Sequence, residues 1–218
     1  MPRQPGLPRR SLLRRLGAAA VGLQLLVGLG VGHYLDGHGN LAPALPGIAL
    51  AADGSVVELG GSDRWVSGTR VLDSVGAQGR AVEQRTWLRA GTVPAIAGLD
   101  PELVRGALLD LHTLSRPYGV AVAGWAPAWR YVWPRDAAFV ASALARTGHL
   151  GDARVTLDFL QSVPAPDGTF QARYAADGSA VPDRRGVQLD GTGWVLWGLG
   201  EVARTVPDGR ARRDLVGR

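Results

Sequence analysis

Between residues 100 and 206, proline and glycine cut the chain into four apolar runs of helical length, and this punctuation limits the fold more than any other feature. The first run opens with Asp100-Pro101-Glu102, a capping carboxylate followed by proline at the first helical position. Leu103, Ala107, Leu108, Leu111 and Leu114 then share one helical stripe until Pro117 and Gly119 stop it. The second run covers 136–147, with Asp136 as its cap, Ala137-Ala138-Phe139-Val140-Ala141 as its opening turns and Gly148 as its stop. A third starts near Gly151-Asp152, carries Ala153, Leu157, Phe159 and Leu160 to Val163, and closes at Pro164 and Pro166. The fourth occupies about 191–204 and carries Trp194, Leu196, Trp197 and Leu199. Helices joined by alternately short and long connections specify an all-α array of helical hairpins rather than a sheet protein.

Ahead of this array the signals are weaker. Residues 33–46 are rich in Gly, Pro and Asn and read as linker. The alternating pieces Ser55-Val56-Val57-Glu58-Leu59 and Arg64-Trp65-Val66-Ser67, separated by Gly60-Gly61-Ser62-Asp63, predict a small hairpin or extended β strap. Val82-Glu83-Gln84-Arg85-Thr86-Trp87-Leu88 fits a strand or a helical turn equally and displays no chemistry. The expected layout is a signal peptide or membrane anchor over 1–32, linker and strap over 33–97, an incomplete helical toroid over 98–206 and a polar tail over 207–218.

The N-terminus is a basic block followed by an apolar run over 16–32, broken only by Gln24. Arg9-Arg10-Ser11-Leu12-Leu13-Arg14 resembles a twin-arginine export signal, with Pro8 where Ser or Thr is usual. Seventeen residues make roughly 25 Å of helix, a little short of the ~30 Å hydrocarbon core. The small-x-small sites Ala42-Pro43-Ala44 and Ala49-Leu50-Ala51 lie far from that run, which favours an uncleaved anchor with its arginines inside and the body outside. The expected location is therefore the cell membrane, or secretion if the segment is cleaved.

Charge narrows the partners. All 24 basic residues are arginine; five of them precede the apolar run, and the rest balance the 19 acidic residues, so the net charge of +5 belongs to the N-terminus. A neutral body argues against nucleic acid. The absence of cysteine excludes disulfides, thiolate zinc sites and cysteine nucleophiles, and His33, His38, His112 and His149 are scattered, so neither a metal nor a cofactor is expected.

Two polar clusters stand at matching places. Trp129-Arg130-Tyr131-Val132-Trp133-Pro134-Arg135-Asp136 precedes the second helix, and Gln188-Leu189-Asp190-Gly191 precedes the fourth. In a toroid of helical hairpins alternate helices form the inner ring and begin at one end of a central funnel, so Asp136 and Asp190 are expected to line one pocket. Tyr131, Trp133 and Trp194 would stack on the apolar faces of sugar rings, and Arg135, Asp136 and Asp190 would hydrogen-bond hydroxyls.

Tyr131-Val132-Trp133-Pro134-Arg135-Asp136 resembles the substrate-binding turn of the glucoamylase-like glycoside hydrolases, glycoside hydrolase family fifteen. Asp167-Gly168-Thr169-Phe170, Asp177-Gly178 and Gln188-Leu189-Asp190-Gly191 follow in matching order. The resemblance covers roughly residues 100–204. It implies a partial (α/α)6 toroid of the six-hairpin glycosidase type and inverting hydrolysis of α-glucosidic bonds in a glucan or oligosaccharide. It also implies a grip on the terminal sugar by Trp133, Arg135 and Asp136, with Asp190 as a second pocket-lining residue.

Inverting members of that family use two carboxylates about 6.5–9.5 Å apart, an acid for the leaving oxygen and a base for water. This chain has only Glu58, Glu83, Glu102 and Glu201, and none falls at a matching place. No catalytic residue is therefore assigned. The chain is expected to be an N-terminal portion of such an enzyme, inactive by itself. The alternative is a non-catalytic, membrane-anchored carbohydrate-binding or degenerate toroid protein. A lyase or cyclase barrel would need a base, tyrosine or metal site that is missing. Gly28-Leu29-Gly30-Val31-Gly32 follows no strand and reads as a membrane-helix face, and there is no Gly-x-Ser-x-Gly elbow.

Overall fold

The structure, a computed structural model, describes residues 47–182, 185 and 188–216. The chain divides into two units, Met1–Leu45 and Pro46–Arg218. The first, with the arginine block and the apolar run expected to anchor it, lies outside the described residues, as does linker residue Pro46. Among the described residues no helix is long and apolar enough to cross a membrane.

The second unit is mostly helical. It comprises strands β1 (Ile48–Leu50) and β2 (Val56–Glu58), helices α1 (Gln78–Ala90), α2 (Pro101–Ser115), α3 (Pro134–Arg146), α4 (Leu150–Ser162), α5 (Asp190–Thr205) and α6 (Gly209–Val216), and a 3-10 turn at Pro127–Trp129. The strands pair antiparallel with Leu50 opposite Val56. Their turn is closed by Asp53, whose carboxylate accepts from the backbone N–H and hydroxyl of Ser55, and by Gly54 at φ +90°. The partner of β2 is thus β1, not the 64–67 stretch that the sequence offers. Residues 65–72 instead fold across the hairpin: Trp65 Nε1 donates to the Ile48 carbonyl at 2.8 Å, and Leu50, Val56, Val66, Val71, Ala77 and Ala81 form a small core beneath.

Residues 82–88, ambiguous in sequence, lie inside the 13-residue helix α1, which buries only Ala81 and Gln84. Gln84 ties three elements together: Oε1 accepts from the Arg70 N–H, and Nε2 donates to Thr113 Oγ1 and faces His112 Nδ1, both at 3.2 Å. Helix α2 begins as its sequence requires, with Pro101 in the first turn and the Asp100 carboxylate accepting from the Glu102 N–H at 2.9 Å. Residues 209–216, expected as part of a polar tail, form α6, with Leu215 buried in the main core.

That core lies between α3, α4 and α5 and is centred on Leu144, Leu157, Leu160, Val195 and Val202. Each of these fully buried leucines contributes about 1.5–3 kcal/mol of transfer free energy. The connection from α3 to α4 is only Thr147-Gly148-His149, with Gly148 at φ +89°, so the two helices turn back on one another. Gly198 lets α5 approach α3 closely: a Cβ there would stand 3.0 Å from Ala138 Cβ and 3.2 Å from its carbonyl oxygen.

Candidate functional site

Pro134 restricts the residue before it to extended backbone, and Trp133 adopts φ −92°, ψ 129° as the cap of α3. Pro134 therefore takes the first helical position. Asp136, expected to cap the helix, lies inside its first turn, where the helix dipole favours a carboxylate by about 0.3–1 kcal/mol. Its side chain is exposed and has no hydrogen-bond or ion-pair partner among the described residues.

The turn is held from the side by the excursion after α4. Val132 and Tyr174 exchange two backbone hydrogen bonds of 2.9 Å, and the Tyr174 hydroxyl accepts from the Gln171 N–H. Asp167 and Asp177 close local turns there; hydrogen bonds from the hydroxyl and N–H of Thr169 and of Ser179, respectively, hold their carboxyls below the usual range. Phe170 is buried under Gly191, where a Cβ would stand 3.1 Å from Phe170 Cβ and 3.7 Å from Pro134 Cβ. Thr192 Oγ1 donates to the Gly168 carbonyl at 2.9 Å. The start of α5 is thereby pressed against the start of α3.

Three contacts at one sequence offset align these helices. Arg135 Nη1 donates to Asp190 Oδ2 at 2.9 Å, the Phe139 and Trp194 rings lie 4.9 Å apart, and Arg146 Nε donates to Glu201 Oε2 at 3.0 Å, each pair separated by 55 residues. Contacts at both ends and the middle require α3 and α5 to run parallel with their N-termini together. Arg135, Asp136 and Asp190 share that end.

The aromatic residues are placed differently from one another. Trp133 is 5% exposed, packed 5.7 Å from Trp129 and edge-on to Tyr131 at 6.2 Å. The Arg173 guanidinium lies 4.1 Å from the Tyr131 ring centroid and covers one face of it. Trp194 packs with Phe139 and Trp197 along the α3–α5 seam. The most exposed aromatic residue of this turn is Trp129, at 41%, which is not among the expected site residues. Its signal was Pro127, which starts the 3-10 turn that carries it.

None of the four glutamates joins this end. Glu201 is 6% exposed and pairs with both Arg146 and Arg204; Glu102 pairs with Arg105, Glu83 with Arg80, and Glu58 ends β2. Among the described residues no three potential ligands come together to hold a metal.

A second polar cluster, unmarked in the sequence, surrounds Trp87. Its indole stacks on His149 at 3.8 Å, lies 4.3 Å from His112, and donates Nε1–H to Asp152 at 2.7 Å. The bonding of Gln84 leaves His112 Nδ1 as an acceptor and hence its proton on Nε2. Burial first, and the nearby Arg116, push the His112 imidazole down to about 4; burial also lowers His149. The adjacent hollow of about 150 Å³ is small, and both imidazoles are neutral near pH 7, so packing accounts for the cluster.

No family model, curated protein or solved structure matches the chain.

Proposed function

We propose that this chain carries the sugar-gripping part of a glucoamylase-like glycoside hydrolase acting by inversion on α-glucosidic bonds, its helices belonging to an (α/α)6 toroid of hairpins. The observation that carries the reading is the common N-terminal end of α3 and α5, where Arg135 pairs with Asp190 and Asp136, without a partner among the described residues, stands in the same first turn after the aromatic stretch. Charged hydrogen-bonding groups beside an exposed indole suit a neutral polyhydroxylated ligand. In this reading Arg135, Asp136 and Asp190 bind hydroxyls, Trp129 offers the stacking face, and Tyr131 and Trp133 hold the turn in shape. The acid and base are assigned to none of the four glutamates, so the chain binds sugar without cleaving it. Anchoring through residues 16–32, with the body outside the membrane, is part of the same proposal and rests on the sequence.

The confinement of Glu201 between two arginines also favours the second reading, a carbohydrate-binding toroid with no hydrolytic role. Titration of the chain with maltotriose by calorimetry tests the shared core of both. Saturable binding is expected, weakened about tenfold by Asp136→Asn through loss of a charged hydrogen-bond acceptor. Equal affinity of the two proteins removes Asp136 from the site. Release of glucose by the chain alone would contradict the assignment of no catalytic residue.

A further inference from the structure

A cavity of about 420 Å³ opens beside the C-terminal half of α1, lined by Gly68, Arg85, Leu88, Arg89, Val93 and Arg105. Its floor is rigid. A Cβ on Gly91 would collide with the Thr147 carbonyl oxygen and His149 Nε2, and Thr92 N–H donates to that same Thr147 carbonyl at 2.8 Å. Gly68, at φ +69°, has open space where a side chain would project.

Three guanidinium groups line this space, and two of them have no carboxylate among the described residues. Arg85 donates to the Ser67 carbonyl at 2.7 Å and Arg89 to Thr86 Oγ1 at 3.3 Å; neither pairs with a carboxylate among the described residues. Arg105 engages Glu102. Elsewhere on the helices Arg80, Arg135, Arg146 and Arg204 each have a carboxylate. Arg85 and Arg89 stand at i and i+4 of one helix, a spacing at which like charges repel. Arg105 from α2, already paired with Glu102, adds a third fork of donors, and a bound anion relieves the Arg85–Arg89 repulsion.

We propose that this cavity is a binding site for a small oxyanion, a phosphate or carboxylate held by Arg85, Arg89 and Arg105, with any carbon skeleton it carries lying against Leu88 and Val93. Guanidinium forks match the oxygen pairs of both groups, and the volume falls within the ordinary range of small-molecule pockets. The site is separate from the α3–α5 end and does not depend on the sugar-binding reading.

The test is an NMR titration of the full chain with inorganic phosphate, glucose 6-phosphate and glucuronate, each at ionic strength held constant with sodium chloride. Saturable shifts at the Gly68, Leu88 and Gly91 amides are expected for at least one probe, and the tightest probe distinguishes free phosphate, phosphoryl and carboxylate ligands. Arg89→Gln, a change at an exposed position with the fold checked by circular dichroism, is expected to weaken binding about tenfold, and Arg85→Gln likewise. Arg80→Gln, one turn away on α1, is expected to leave it unchanged. Absence of saturable shifts with all three probes overturns the proposal, as does equal binding by wild type, Arg85→Gln and Arg89→Gln.

Discussion

Arg135 and Asp190, 55 residues apart, close a 2.9 Å ion pair across the N-terminal ends of two parallel helices, with both side chains about two-fifths exposed. At that exposure the pair contributes less than about 1 kcal/mol to folding. Asp190→Asn is therefore expected to lower the urea-unfolding free energy by under about 1 kcal/mol while weakening maltotriose binding. A large loss of stability would make the pair a structural clamp instead of a binding element.

At the other end of the same seam, Glu201 is buried with two exposed arginines on it. Removing one arginine leaves the other to neutralise the carboxylate, so Arg146→Ala and Arg204→Ala are each expected to cost about 1 kcal/mol or less. Removing both strands a buried charge, and the double variant is expected to cost about 3–5 kcal/mol. Chemical denaturation of the four proteins of this cycle checks the coupling; additive losses would mean that solvent reaches Glu201.

The Trp87 cluster sets an acid limit on stability. The imidazole of His112 has its folded value lowered from 6.5 to about 4, and that of His149 is lowered in the same sense, both mainly by burial. Arg116 opposes charging of His112, while Asp152 and Glu83 favour it. Above pH 6.5 the folded and unfolded chains are both neutral at these groups. Below it the unfolded chain takes up protons first, so the imidazole contribution to stability falls from about pH 6.5 to about 4 and then levels. The His112 share is on the order of 3 kcal/mol. Guanidinium unfolding at several pH values is expected to show this loss, and His112→Asn to reduce its slope.

Gly91→Ala places a methyl 2.4 Å from both the Thr147 carbonyl oxygen and His149 Nε2. The backbone oxygen cannot move aside as a flexible side chain can, so a loss of about 1–3 kcal/mol is expected. A thermal melt unchanged from wild type would show that the end of α1 is not held against the α3–α4 turn.

What could be read from the sequence follows from where the information is local. Asp100-Pro101-Glu102 states a helix start in three residues, and α2 begins there. The starts of α3 and α5 were placed to within two residues, but the role of Asp136 was not, because Pro134 claims the first helical position and displaces the aspartate inward. Helix α1 was ambiguous because its fixed point is a polar residue, Gln84, whose partners lie on two other segments. The hairpin partner of β2 was missed because three-residue strands carry no usable alternation. Arg146 and Glu201 look like ordinary surface charges until the helices are set side by side.

The repeated separation of 55 residues between α3 and α5 works as a vernier. Each residue deleted inside either helix would rotate everything beyond it by about 100° and unseat the remaining marks. The intervening segment after α4 has to return the chain to the same starting mark, however long its path. Its outer loop around Asp177-Gly178 is thus the place to splice in a tag or to divide the chain into two complementing halves, and the helices themselves tolerate neither.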